Sequence, residues 1–226
     1  MPKVTFPFWK KWMSYVTEIH VETSSSDYNE FLEVTLSKGR LQLSTREAIY
    51  SYADKYDNFR ETFQKMKLPD EAKVLLLGFG LGSIPFMLEK KFHKMYSYTG
   101  VEIDDAVIYL ASKYVLPDVI SDIHLIQADA FSYIQQDSNR YDIIAMDIFI
   151  SEKIPAPFET KEFLENLQKN LTDSGILLFN RLAKTKTEIE ATEKYINHVF
   201  LPVFPNATFN PVKGNYVLIS NKSALI

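Results

Sequence analysis

Residues 73–83, with the sequence KVLLLGFGLGS, carry the most informative pattern in this chain. A lysine is followed by four apolar residues, which is typical of a strand that is covered on both faces. Gly78, Gly80 and Gly82 then allow a tight turn into a helix that begins at Ser83. The free N–H groups at the start of such a helix favour a polar or anionic ligand. The spacing is G-x-G-x-G, whereas a dinucleotide fingerprint has a third glycine at the position of the serine.

Strand and helix patterns alternate from this stretch almost to the end of the chain. The predicted strands are Lys73–Leu77, Tyr96–Ile103, Asp122–Gln127, Tyr141–Asp147, Ile176–Asn180, Ala207–Pro211 and Tyr216–Ser220. Repeated βα units predict a parallel sheet with right-handed crossovers and helices on both faces. The predicted fold class is therefore α/β, with a doubly wound, mostly parallel seven-stranded sheet and an antiparallel hairpin at one edge.

Residues 1–70 have a different character, with one glycine and many aromatic side chains. Short strand patterns lie at Val16–Val21, Phe31–Leu36 and Arg40–Leu43. A helix is predicted from Thr45, with Glu47 close behind this capping residue, to about Met66. We therefore expect a small N-terminal β-hairpin and helix segment, residues 1–70, beside a ligand-binding α/β domain, residues 71–226.

The composition indicates a globular protein and argues against several kinds of partner and site. Hydrophobic residues make up 46% of the chain and the formal net charge is −4, which suits a globular protein and disfavours nucleic-acid or anionic-membrane partners. The chain has no cysteine, so disulfides and thiolate chemistry are excluded. Its four histidines lack the spacing of metal ligands, and no secretory signal or membrane-spanning run is found. We expect a cytoplasmic protein without a metal.

Carboxylates lie at the carboxyl ends of three further strands, which is where doubly wound sheets bind ligands. Glu102 ends the second strand and suits hydrogen bonds to ribose hydroxyls, and Asp129 follows the third strand and suits the amine of adenine. Ile103 and Phe131 would supply apolar surface for the base. Capping of the next helix is the alternative role for both carboxylates. Asp147 ends the fourth strand, where an acid binds a ligand or caps a turn.

A series of short motifs carries a resemblance to a known family. The motifs are Val101–Asp104, Gln127–Ala130, Tyr141–Ile144 with Asp147, Pro155–Pro157, Lys161–Leu164 and Ser174–Leu177, with Gly39–Gln42 and Tyr50–Tyr52 before them. From Val74 to Asn180 they resemble the Rossmann-like fold of class I S-adenosylmethionine-dependent methyltransferases, and within it the spermidine synthase branch. The N-terminal motifs resemble the small β-domain of that branch.

The resemblance implies a donor, S-adenosylmethionine or its decarboxylated form, and a small-molecule acceptor that is an amine in that branch. The residues it assigns to the donor site and its surroundings are Gly78, Gly80, Leu81, Gly82, Glu102, Ile103, Asp129, Ala130, Gln42 and Tyr52. Glu102 would hold the ribose, and Asp129 with Ala130 the adenine. Asp147 would be the base that takes the proton from the attacking amine. A homodimer is left open.

Three departures from the family pattern concern groups that bind amines. Leu81 replaces the aspartate of the glycine loop, Ile150 replaces a second aspartate after the proposed base, and Ala53 replaces a glutamine. A buried amine without polar partners is costly. On this ground the sequence favours a methyltransferase that acts on a small molecule, with an acceptor pocket formed by Ser151–Phe158 and the N-terminal segment.

Three alternatives stay open at this stage. The first is an aminopropyltransferase of polyamine biosynthesis with altered amine contacts. The second is a protein that binds an adenosyl ligand without turnover, because a fold does not guarantee chemistry. The third is a nicotinamide-dependent dehydrogenase, which Ser83 and the lack of an obvious hydride-transfer partner disfavour.

Overall fold

A computed structural model describes residues 4–46, 48–150 and 153–226, which form two β-sheets. The expected capping contribution of Glu47, and the first two residues of the expected acceptor loop, Ser151 and Glu152, lie outside the described residues. Within the described ranges, no helix combines the length and the apolar character needed to cross a membrane.

The first sheet is antiparallel, with its strands in chain order. Its strands are β1 Ile19–Ser24, β2 Leu32–Ser37, β3 Arg40–Ser44 and β4 Ile49–Ser51. Lys38 and Gly39 connect β2 to β3 as a two-residue turn, with φ angles of 48° and 75°. This turn matches the predicted hairpin, because both central residues of such a turn need a left-handed backbone.

The prediction of a helix from Thr45 to Met66 is wrong for the first half of that range. Residues 49–51 form β4, which pairs with β3, and the chain becomes α-helical in this region only at Asp57. Tertiary pairing overrides the local helix signal here, because the backbone of Ile49–Ser51 finds partners on the edge of β3.

The second sheet has seven strands in the order β10-β11-β9-β8-β5-β6-β7. Its strands are β5 Lys73–Leu77, β6 Ser97–Glu102, β7 Ile123–Gln127, β8 Tyr141–Met146, β9 Leu171–Leu182, β10 Thr208–Val212 and β11 Asn215–Ile219. Strands β5 to β9 are parallel, and β11 is antiparallel to both of its neighbours. The predicted fold class, with its terminal hairpin at one edge, is confirmed.

Helices cover both faces of this sheet. The α-helices are α1 Phe8–Met13, α2 Asp57–Phe63, α3 Ser83–Lys90, α4 Asp105–Tyr114, α5 Ala130–Gln136, α6 Lys161–Lys169, α7 Lys186–Tyr195 and α8 Leu201–Val203. Short 3-10 turns lie at Ala53–Lys55, Leu116–Asp118, Ala156–Glu159 and Lys222–Ala224, and a π turn, Ile196–Phe200, continues α7. Because strands and helices alternate, each connection from a strand to the next helix begins at the carboxyl ends of the parallel strands.

The core lies on both sides of β5. Val74 and Leu76 pack with residues of α3 and α4, while Leu75 and Leu77 pack with residues of α6 and β9 on the opposite face. Leu32, Val34 and Leu43 of the first sheet join the α3 side of the core. The two sheets therefore share one apolar cluster, and the division of the chain at residue 70 stays a prediction.

Candidate active site

A cavity of about 540 Å³ lies at the carboxyl ends of the parallel strands. This volume is within the range of small-molecule sites, roughly 300–1,000 Å³. Residues that end or follow five strands line it, namely Gly78, Glu102, Asp129, Asp147 and Asn180. The first sheet and its connections contribute further lining residues, with Tyr28 and Asn29 between β1 and β2, and Ala48, Ile49, Tyr50 and Ser51 at β4.

The glycine loop after β5 is held by close backbone contacts. Gly78 has φ +83°, and a Cβ added there would lie 2.3 Å from the carbonyl oxygen of Asp147. Gly80 has φ +54°, and a Cβ there would lie 3.3 Å from the Ser51 side chain. Glycine is therefore needed at both positions. At Gly78 the end of β5 approaches the end of β8 directly, and at Gly80 the loop approaches β4.

Ser83, at the position of the missing third glycine, links the two sheets. Its Oγ lies 2.6 Å from the Ser51 Oγ and accepts a 2.9 Å hydrogen bond from the Tyr52 backbone N–H. Ser83 is buried. The departure from the dinucleotide fingerprint therefore has a structural reason, because this hydroxyl attaches β4 to the start of α3.

Glu102 ties the glycine loop to the end of β6. Its Oε2 accepts backbone N–H bonds from Phe79 and Gly80 at 3.1 and 3.2 Å, and its Oε1 accepts from Ile103 and Asp104 at 3.0 and 3.2 Å. Burial raises the pKa of this carboxyl, although the four N–H groups act in the opposite direction. Glu102 thus organises the loop in addition to facing the cavity.

Asp104 and Asp129 begin the helices that follow their strands. The Asp129 Oδ1 accepts from the N–H and the hydroxyl of Ser132, both at 2.8 Å. The Asp104 Oδ1 caps α4, and its Oδ2 accepts from Ser26 Oγ at 2.6 Å and from Asn29 Nδ2 at 2.7 Å. The second pair of bonds fixes the segment before β2, which brings Tyr28 and Asn29 to the cavity wall.

Asp147 lies at the base of the cavity in a chain of hydrogen bonds. Its Oδ1 accepts from the Asn180 Nδ2 at 2.8 Å, and the Asn180 Oδ1 accepts from the Asn215 Nδ2 at 2.9 Å. The Tyr56 hydroxyl also bonds to the carboxylate. Burial raises the pKa of Asp147 to about 6, against the opposing effect of the bonds from Asn180 and Tyr56. This carboxylate can accept a proton near neutral pH.

The wall beside Asp147 is apolar. Ile148, Phe149 and Ile150 follow the carboxylate in the chain, and Pro155 and Phe158, on the next described segment, also line the cavity. Phe158 is buried, and its ring packs edge to face on other aromatic rings of the core. This part of the cavity therefore combines one half-buried carboxylate with a hydrophobic surface.

Seven of the predicted site residues line the cavity, and four do not. The lining residues are Gly78, Gly80, Glu102, Ile103, Asp129, Ala130 and Asp147. Leu81 is 2% exposed in the core, and Gly82 caps α3. Gln42 is buried beside Glu18, and the Tyr52 hydroxyl bonds to Ser37. The ligand contacts assigned to all eleven residues stay predictions.

Several lining residues were missed from the sequence. Asn180 ends the fifth predicted strand, so the search of strand ends that selected Asp147 would also have selected it. Tyr56, Tyr28 and Asn29 come from the N-terminal third, where no local pattern indicates that they approach the second sheet.

Within the described ranges, no three His, Cys, Asp or Glu side chains are grouped so that they could hold a metal ion. The expectation that the protein needs no metal stays a prediction.

The chain matches the model of the spermine/spermidine synthase domain over residues 56–221. It is 29% identical over 160 residues, 70% of this chain and 52% of the relative, to the polyamine aminopropyltransferase of Vibrio vulnificus. It is 27% identical over 187 residues, 79% of this chain and 40% of the relative, to the probable polyamine aminopropyl transferase of Bifidobacterium longum. The chain thus spans about half the length of these relatives.

Solved structures share the fold. Spermidine synthase from Thermotoga maritima superposes with a TM-score of 0.65 at 17% identity, over 89% of this chain and 72% of that chain. A probable spermidine synthase from Corynebacterium glutamicum gives 0.67 at 16% identity, over 88% and 79%. Fibrillarin from Aeropyrum pernix with bound S-adenosylmethionine gives 0.52 at 15% identity, over 88% and 98%.

The expected methyl transfer is wrong, because the family match and both curated relatives indicate aminopropyl transfer. The error came from assuming that Leu81 and Ala53 face the ligand. Both side chains are buried, and neither lines the cavity. Of the three residues that depart from the family pattern, Ile150 alone lines the cavity.

Proposed function

The chain belongs to the spermine/spermidine synthase domain family, and from this premise we propose that it transfers an aminopropyl group from decarboxylated S-adenosylmethionine to an amine. The observation that carries the proposal is Asp147, a half-buried carboxylate with a raised pKa that faces the cavity beside the glycine loop. An amine that is alkylated must lose a proton, and this group is placed to take it.

The donor half of the cavity is defined as Gly78–Gly80, Glu102, Ile103 and Asp129–Ala130. Its residues suit an adenosyl group. Glu102 offers a carboxylate for the ribose hydroxyls, and Asp129 has a second oxygen beyond the one that caps α5. Ile103 and Ala130 add apolar surface for the base. The left-handed glycines let the backbone approach the ligand closely.

The acceptor half is defined as Asp147, Ile148–Ile150, Pro155 and Phe158. When the donor is bound, its sulfonium supplies an activated carbon, and the carbon–sulfur bond breaks as the amine nitrogen bonds to that carbon. The protein has to align the nitrogen and remove its proton. Asp147 removes the proton, while Asn180 and Tyr56 hold its carboxylate in place. A general base of this kind contributes about 10²–10⁴ in rate.

A product analysis tests the proposal. The protein is incubated with decarboxylated S-adenosylmethionine and a mixture of primary amines, and the products are identified by mass spectrometry. We expect methylthioadenosine together with an amine that has gained one aminopropyl group, and formation of both products that is about 10²–10⁴ slower with Asp147→Asn. Formation of S-adenosylhomocysteine from S-adenosylmethionine, with no methylthioadenosine from the decarboxylated donor, would refute the proposal.

The remaining expectations about partners stay predictions. These are the absence of a nucleic-acid partner and the homodimer. The short coverage of the two relatives means that the activity, substrates and partners of the whole protein are proposals as well.

A further inference from the structure

We infer that Arg181 is a positioning residue for the transfer reaction, because its contact with Glu159 fixes the part of the acceptor half that Pro155 and Phe158 form. The inference rests on the proposed function and adds to it two residues that lie outside the cavity lining. It follows from the contacts on β9, from the hydrogen bonds of the turn that ends at Glu159, and from the burial of the guanidinium group.

Two consecutive residues of β9 contact two parts of the acceptor half. The Asn180 Nδ2 donates to the Asp147 Oδ1 at 2.8 Å, and the Arg181 Nη2 lies 2.6 Å from the Glu159 Oε1. Successive side chains of a strand point to opposite faces of the sheet, so the two contacts start from different sides of β9. One strand therefore holds both the proposed base and the turn that ends at Glu159.

The turn that ends at Glu159 connects this ion pair to the cavity. The Phe158 N–H donates to the Pro155 carbonyl oxygen at 3.0 Å, and the Thr160 hydroxyl donates to the Pro157 carbonyl oxygen at 3.0 Å. The two proline rings also fix φ at their positions. Because these restraints leave the turn few other conformations, a contact that holds its last residue also holds Pro155 and Phe158, which line the cavity.

The guanidinium group of Arg181 is buried among aromatic side chains. Its central carbon lies 3.8 Å from the ring centroid of Tyr195 and 5.4 Å from that of Phe179, distances at which a cation is attracted to the face of a ring. Its Nε and Nη1 are buried and have no hydrogen-bond partner within the described ranges. Glu159 thus supplies a negative charge to a cation that is otherwise held by aromatic rings.

Burial distinguishes this ion pair from those at the surface. The side chains of Arg140 and Asp173, 3.5 Å apart, are 56% and 97% exposed, and such pairs contribute little because water screens both charges. The side chains of Arg181 and Glu159 are 8% and 34% exposed. Loss of the carboxylate would leave a buried cation without its anionic partner, which is costly. The fold therefore favours the arrangement in which the turn lies against Arg181.

A matched pair of charge removals tests the inference. Glu159→Gln removes the negative charge and keeps the shape, and Glu165→Gln makes the same change at an exposed glutamate of α6 that pairs with Lys161. With decarboxylated S-adenosylmethionine as donor, we expect KM for the alkylated amine to rise about fivefold or more in Glu159→Gln and less than about twofold in Glu165→Gln. Affinity for methylthioadenosine should change less than about twofold in both variants.

The division of the effect between KM and kcat separates positioning from stability. A role in stability alone would lower kcat in proportion to the folded fraction and leave KM for the amine unchanged, because the folded molecules would be intact. An unchanged KM in Glu159→Gln, or an equal rise in KM in the two variants, would overturn the inference and leave the proposed function intact.

A double-mutant cycle tests whether Arg181 acts through Glu159. Arg181→Met replaces the cation with an unbranched apolar side chain that suits the surrounding rings. If the two residues act as a pair, Arg181→Met combined with Glu159→Gln should raise KM for the amine no more than the larger single change. A rise equal to the product of the two single rises would show that the residues act independently and would contradict the inference.

Hydrogen exchange examines the turn without turnover. We expect the Phe158 amide, which donates to Pro155, to exchange about fivefold or more faster in Glu159→Gln than in the wild type, and at the wild-type rate in Glu165→Gln. An unchanged rate in Glu159→Gln would reject the inference. Failure of the wild type to alkylate any amine, by contrast, would count against the proposed function, and the exchange rates would still decide whether this ion pair holds the turn.

Discussion

The donor half and the acceptor half of the cavity place their carboxylates in opposite surroundings. In the donor half, Glu102 and Asp129 accept backbone N–H bonds, and glycines bring the backbone close to the ligand space. In the acceptor half, Asp147 has the side chains of Asn180 and Tyr56 as partners and a hydrophobic wall beside it. The first arrangement ties the carboxylate into the backbone of the loop and of the following helix, and the second leaves the carboxylate with side-chain partners beside an apolar wall.

The largest effect on turnover is expected from removing the negative charge of Asp147 in the acceptor half. Asp147→Asn keeps the shape of the side chain and an oxygen for the Asn180 amide, but it removes the base. Turnover should fall by about 10²–10⁴, while affinity for methylthioadenosine changes less than about twofold. Steady-state rates and calorimetry measure the two quantities. If activity fell only in proportion to the loss of folded protein, Asp147 would be a structural residue.

Removing the carboxylate of the donor half should change binding and stability together. Glu102→Ala leaves four backbone N–H groups without their acceptor, so the free energy of unfolding should drop by about 2–4 kcal/mol. Affinity for methylthioadenosine should weaken by about tenfold or more. Denaturant unfolding and calorimetry provide the measurements. Glu102→Gln keeps one carbonyl acceptor. Its free energy of unfolding and its affinity should both lie between those of Glu102→Ala and those of the wild type.

A smaller effect is expected at the segment that fixes the N-terminal wall of the cavity. Ser26→Ala removes the 2.6 Å hydrogen bond to Asp104 and the bonds that Ser26 Oγ accepts from the backbone N–H groups of Tyr28 and Asn29. We expect the free energy of unfolding to fall by about 1 kcal/mol and KM for the acceptor to rise about two- to fivefold. Ser25→Ala, at an exposed neighbouring serine, is the control. An equal response of the two variants would indicate that the Ser26 hydroxyl does not position the wall.

The donor half was largely predictable from the sequence, since its signals are local. An apolar strand, a run of glycines and a carboxylate at the next strand end lie within about thirty residues, and parallel pairing brings them to one edge. The same reasoning found Asp147. It would have found Asn180 as well if polar residues without charge had been included.

The acceptor half could not be predicted in the same way, because it depends on contacts between distant segments. Tyr56 reaches Asp147 from the position just before α2, and β4 formed where a helix was expected. The direction of the Leu81 side chain also misled the interpretation. Alignment with the family pattern places it at an amine-binding position, whereas packing of the loop against β4 turns it into the core.

The pH dependence of kcat/KM for the amine, in the wild type and in Asp147→Asn, tests most directly whether Asp147 is the base. Burial raises the pKa of Asp147 to about 6. A base acts in its deprotonated form, so the proposed role predicts that kcat/KM falls as the pH drops through about 6. We expect this ionisation in the wild type and its absence from the residual activity of Asp147→Asn. An ionisation near pH 6 that persists unchanged in the variant would show that another group takes the proton.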